Sequence, residues 1–221
     1  MWFIFSLIAV LFWSGSDLFS KMGSDSKDKN SHWKLVMFVG GVMGIHAIVM
    51  LLLGTEFHLQ DIITYLPASI LYILSMTLGY VGLRYIMLSV STPICNSSGA
   101  VACIMFYFLM KEPMEPPQIV AVIMICLAVF LLAVLEKREE DRQRQEVVDR
   151  KYTHSFLAIF LPIAYCILDA LGTYVDGVIL DGTLSEDAAN IAYELTFLAM
   201  AIFSFIFVVV IKKEKIFLIV V

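Results

Sequence analysis

Apolar residues in this chain come in long unbroken runs, and the polar residues collect between the runs instead of alternating within them. A half-buried strand alternates with period two, whereas a helix crossing the hydrocarbon core needs about 20 consecutive apolar residues. Seven runs fit the helix: Trp2–Ser20, Leu35–Leu53, Ile62–Gly82, Tyr85–Met110, Gln118–Leu135, Ser155–Leu180 and Ala188–Ile211. The third and fourth are nearly continuous, with Arg84 marking the turn between them. The pattern predicts an all-α, polytopic membrane helix bundle. Residues 1–12 are apolar from the start, without a basic leader or a small-residue cleavage site, which predicts a retained first span. After Lys212, Lys213 and Lys215 the chain closes on Ile216-Phe217-Leu218-Ile219-Val220-Val221, which reads as the opening of an eighth span and predicts a longer parent protein.

Composition strengthens the membrane assignment. Hydrophobic residues make up 60% and charged residues 16%, against about 45–50% and about 25% in soluble domains. A soluble fold would leave much of that surface as large sticky patches. The net charge of −5 and the absence of a clustered basic patch exclude nucleic acid as a partner. Cys95, Cys103, Cys126 and Cys166 all lie in apolar runs, with no CxxC pair and no zinc-like spacing to histidine, so they read as packing thiols. No metal site or cofactor is expected. No Walker A, HExxH or GxSxG sequence occurs, which disfavours an enzyme with a familiar site.

Basic residues sort across the loops. Lys21, Lys27, Lys29 and Lys34, then Arg84, then the six from Lys137 to Lys151, then the three lysines after Ile211 fall in odd-numbered connections; Lys111 is the exception. The sixth connection is acidic, with Asp181, Glu186 and Asp187. The positive-inside rule therefore puts the odd connections in the cytoplasm and the N-terminus outside. Glu136–Lys151 mixes both signs, and Glu140–Arg144 and Glu146–Arg150 stand at i,i+4, which supports a solvated extension of the fifth helix.

That stretch divides the chain into residues 1–136, a five-span unit, residues 137–154, a charged linker, and residues 155–221, the start of a second unit. Sliding the sequence by 152 residues sets Trp13 on Tyr165 and Asp17 on Asp169. An odd number of spans per unit turns the second unit upside down, and inverted repeats of that kind are a transporter architecture with the substrate site near the midplane. The expected fold is two inverted five-helix repeats, the second incomplete.

Phe12-Trp13-Ser14-Gly15-Ser16-Asp17 resembles the opening of EamA-type members of the drug/metabolite transporter superfamily. The end of the family's repeat unit is resembled by Gly79-Tyr80-Val81-Gly82-Leu83-Arg84-Tyr85, Ser91-Thr92-Pro93, Ser97-Ser98-Gly99-Ala100 and Leu109-Met110-Lys111-Glu112, followed by a short helix from Gln118. The resemblance implies ten helices in all and movement of small metabolites. It also implies cytoplasmic termini, the one point at which the charge distribution departs from it.

Candidate chemistry follows from polar residues inside the runs. A charged aspartate at a helix centre costs roughly 2.5–3.5 kcal/mol on insertion scales, so it faces the bundle or a cavity. Asp169, with Thr173 and Asp176 at i+4 and i+7, is either a polar stripe along a substrate or proton path or an acid satisfied by a neighbouring helix. Asp17 has Lys21 at i+4 for an ion pair or gate. Trp13 and Tyr165 precede the two aspartates by one turn and are candidates to wall the cavity. His46 is either a proton relay or a neutral histidine bonded to a carbonyl. Glu194, beside Asn190 and Tyr193, lines a mouth or anchors an interface. Pro93 interrupts the fourth span and frees a carbonyl near Asn96 and Ser97, which can re-satisfy it or hold a ligand. Gly40 and Gly44 form a GxxxG face for helix packing.

The expected function is a secondary carrier in the cell membrane, with a small-molecule substrate and the bilayer as partners and a homodimer as an assembly option. A seven-helix receptor fits the span count, but the seventh span offers no lysine for a retinal Schiff base. A non-transporting fragment or assembly partner is the other alternative.

Overall fold

The computed structural model describes residues 2–24, 28–143 and 160–214, and the regular structure among them is helical throughout. In chain order the helices are α1 (Trp2–Gly23), α2 (Ser31–Leu52), α3 (Leu59–Gly82), α4 (Leu88–Asn96), α5 (Ser98–Met105), α6 (Pro116–Gln143), α7 (Phe160–Leu180) and α8 (Glu186–Phe205). Single π-helical segments, Phe106–Met110 and Ile206–Ile211, prolong α5 and α8. Most of the charged linker, the start of the sixth run at Ser155 and the apolar stretch from Ile216 lie outside the described residues.

Local chemistry sets several boundaries. At α3 the Asp61 carboxylate accepts from the His58 amide at 2.8 Å, which starts the helix three residues before the apolar run at Ile62. At α8 the Ser185 hydroxyl accepts from the Ala188 amide at 3.3 Å, and Glu186 and Asp187 stand at the positive end of the helix. Beyond Met110 the backbone turns through Lys111 at φ 59, ending the helix in a left-handed residue.

One expectation needs correction. Among the described residues, six helical stretches are long and apolar enough to cross a membrane, and the expected fifth run lies within α6. Pro116 and Pro117 suit a first helical turn, where no amide partner is needed, and the charged continuation to Gln143 makes up the rest of that helix. The fourth span begins at Leu88 instead of Tyr85, and a one-residue turn at Ser97, whose amide still bonds the Pro93 carbonyl at 3.2 Å, separates α4 from α5. Pro93 supplies no amide to the preceding turn, and residues 83–87 form the connection from α3.

The centre of the bundle joins elements from both sides of the linker. α2 lies along α8, and α3 packs on both α7 and α8. Lipid tails are as apolar as leucine, so close contact between small residues must hold such helices together. Gly40 is the clearest case: a Cβ there would stand 2.6 Å from the Phe197 carbonyl oxygen. A Cβ on Gly44 would stand equally close to the Leu198 side chain. The GxxxG face of α2 is thus the surface on which α8 rests. Phe197, fully buried, fills the core with Val36, Ile73 and Tyr80. By contrast α1 keeps nearly all of its apolar side chains on the outside.

Polar residues close one end of the bundle. Lys34 pairs with Asp28 at 2.6 Å and with Glu214 at 3.3 Å, while the Asn30 side-chain amide donates to Glu214 at 2.7 Å. Arg84 donates to the Lys29 carbonyl at 3.1 Å, and the Lys21 ammonium donates to the carbonyls of Leu83 and Ile86. Burial pushes the Asp28 carboxyl up, but hydrogen bonds from Lys34 and the Asn30 amide, with the charges of Lys34 and Arg84, outweigh it. Together they hold the group below the usual carboxylate value.

Candidate functional site

A cleft of about 50 Å³ opens where α1, α3, α4 and α7 meet. From α1 come Trp13 and Asp17, which share a face at i,i+4. Tyr165 enters from α7 because Gly79 of α3 leaves it room; a Cβ on Gly79 would lie 2.8 Å from the Tyr165 ring. Tyr80 lines the cleft beside Gly79, and α4 adds Thr92, Cys95 and Asn96. Thr92 and Asp17 line the same cleft from α4 and α1. Space of this size holds a few waters or one small head group.

Behind Tyr165 runs a polar seam between α3 and α7. The Tyr65 hydroxyl donates to Asp176 at 2.7 Å and the Tyr72 hydroxyl to Thr173 at 3.2 Å. The Ser75 hydroxyl reaches Asp169 at 3.4 Å, a weak contact, and also donates to the Tyr72 carbonyl at 2.8 Å. Residue numbers rise on one helix as they fall on the other, so α3 and α7 run antiparallel. From α5 the Ser98 hydroxyl donates to the second oxygen of Asp169 at 2.6 Å. Thr173 also donates back to the Asp169 carbonyl at 3.0 Å. The cleft and the seam adjoin along α7, where Tyr165 lines the cleft one turn before Asp169.

Trp13, Asp17, Asn96 and Tyr165 thus share the cleft, and Asp169, Thr173 and Asp176 share the adjoining seam. Ser97 occupies the break between α4 and α5, where its hydroxyl donates to the Ile94 carbonyl at 2.6 Å and lies 3.3 Å from the Cys166 sulfur. Pro93 sits in α4 one turn before that break. His46 and Glu194 stand apart from both. Nδ1 of His46 lies 2.8 Å from one oxygen of Glu194 and 2.9 Å from the other, joining α2 to α8. His46 therefore bonds a carboxylate, not the backbone carbonyl considered for it from sequence.

Six participants were not singled out from sequence: Tyr65, Tyr72, Ser75, Tyr80, Thr92 and Ser98. One signal was available. Tyr65 and Tyr72 are seven residues apart, and Ser75 follows at i+3, which places all three on one face of α3.

Among comparisons with known proteins, a family model described as the EamA-like transporter family matches residues 1–134. No curated protein and no solved structure matches.

Proposed function

The chain belongs to the EamA-like transporter family, and from that premise we propose that it is a secondary carrier of small metabolites in the cell membrane, working by alternating access with coupling to protons. Residues 1–136 act as one five-helix repeat, 137–154 as a linker and 155–221 as the opening of its inverted partner. The substrate enters the cleft beside Trp13, Asp17, Asn96 and Tyr165. Asp169, immediately behind, is the coupling acid.

The observation that carries this reading is the convergence of the two matched aspartates. Asp17 and Asp169 stand 152 residues apart, yet Asp17 lines the cleft with Tyr165, and Asp169 follows Tyr165 by one turn on α7. A proton on Asp169 would remove the charge that Ser98 of α5 and Ser75 of α3 address. Hydrogen bonds to an ionised acceptor are roughly twice as strong as neutral ones, so protonation loosens contacts that α7 makes with two helices of the first repeat. That difference between protonation states is what allows a proton to bias one arrangement of the halves over another.

The test is Asp169→Asn, which keeps the shape and one acceptor oxygen. Uptake of a radiolabelled metabolite panel by cells expressing the protein should continue, with its dependence on external pH flattened and the folded yield unchanged. An unaltered pH profile removes Asp169 from coupling. Absence of gradient-driven flux for every solute removes the carrier reading itself.

A further inference from the structure

We propose that the cleft takes the protonated amine head of a small organic cation, with Asp17 as its counter-charge. This deepens the carrier reading above and rests on it for the site's purpose, but the chemistry comes from the cleft's own lining. Among the described residues that line it there is one carboxylate and no lysine, arginine or histidine. Asp17 is half-buried and lines the cleft with Thr92. A hydroxyl does not neutralise a carboxylate, and a partly buried charge calls for a partner of opposite sign. Lys21, one turn along α1, directs its ammonium to the Leu83 and Ile86 carbonyls.

The aromatic side chains point to the same class of ligand. Trp13, Tyr80 and Tyr165 line the same cleft as the carboxylate, and aromatic faces attract cations and repel anions. Among the described residues neither the Tyr80 nor the Tyr165 hydroxyl has a hydrogen-bond partner, and neither oxygen is among the fully buried unpartnered atoms. Two open phenolic oxygens in the same cleft as a carboxylate can accept from the N–H groups of a primary ammonium. A cavity of about 50 Å³ admits that head and leaves the rest of the molecule to project past Trp13, which is 58% exposed.

The experiment measures binding of radiolabelled ethanolamine to the purified full chain in detergent at pH 7, with unlabelled ethylene glycol and glycolate as neutral and anionic competitors of similar size. Saturable binding is expected. Neither competitor should displace the label at hundredfold excess. Asp17→Asn should weaken affinity at least tenfold, Asp17→Glu should stay within about threefold of the parent, and Tyr80→Phe should lose about threefold. Absence of saturable binding overturns the proposal, and so does displacement by glycol or glycolate as effective as by ethanolamine itself. Because the competitor comparison is made on the unmodified protein, it stands even if a variant fails to fold. Flux in proteoliposomes separates the two ideas. Asp17-dependent flux of glycolate or glycol without ethanolamine binding overturns the cation and leaves the carrier, whereas ethanolamine binding without flux of any solute does the reverse.

Discussion

Asp17 and Asp169 occupy matching places in the two halves of the sequence, but the fold treats them differently. Asp169 has hydroxyls from two other helices on its two oxygens, Ser98 and Ser75. Its helix α7 packs on α3, α4 and α5. Asp17 lines an open cleft and rides on α1, whose apolar side chains face outward. Equivalent position under the 152-residue shift therefore does not mean an equivalent environment. One carboxylate is tied to hydroxyls of α3 and α5, and the other lines an open cleft.

The sharpest way to break this contrast is to remove each carboxylate and compare stability. Asp169→Ala strands the buried Ser98 hydroxyl and should cost about 1–3 kcal/mol. Asp17→Ala should cost less than about 1 kcal/mol, within the range of changes away from the core. Thermal unfolding in detergent reads both, and equal losses would end the distinction. A smaller effect separates the tyrosines. Tyr65→Phe deletes the hydrogen bond to Asp176, worth about 0.6 and at most about 1.7 kcal/mol between membrane helices. Tyr80→Phe deletes a hydroxyl without a protein partner among the described residues and should leave unfolding where it was.

The smallest effect belongs to neither aspartate and serves as their control. The Asp28 carboxyl is held below its ordinary value, so its contribution to stability is complete above about pH 4 and lost as pH falls through the lowered folded value. As a partly exposed ion pair it is worth under about 1 kcal/mol. Lys34→Met should remove this acid-limb dependence in pH-dependent unfolding, while substitutions at Asp17 and Asp169 should leave it intact.

Hydropathy alone made the helical bundle legible, because only long helices satisfy their own backbone inside lipid. Gly40 and Gly44 marked the α2 face that receives α8. The rest of α2 is apolar all round and offers no stripe to orient it. Asp17, Asp169, Trp13 and Tyr165 were legible from the shift of 152 residues. Their hydroxyl partners were not. Ser98 lies 71 residues from Asp169 and Glu194 lies 148 from His46, so neither pairing leaves a local trace. The turn at Ser97 was hidden as well, since proline signals an interruption without saying where the helix resumes.

That turn has a mechanical consequence. Ser97 keeps helical hydrogen bonds on both sides, its amide donating to the Pro93 carbonyl at 3.2 Å and its carbonyl accepting from the Val101 amide at 3.2 Å. The fourth span is therefore one continuous beam that touches both regions: Thr92 and Asn96 line the cleft with Asp17, and Ser98 bonds Asp169. A shift of that beam would be felt at both acids together.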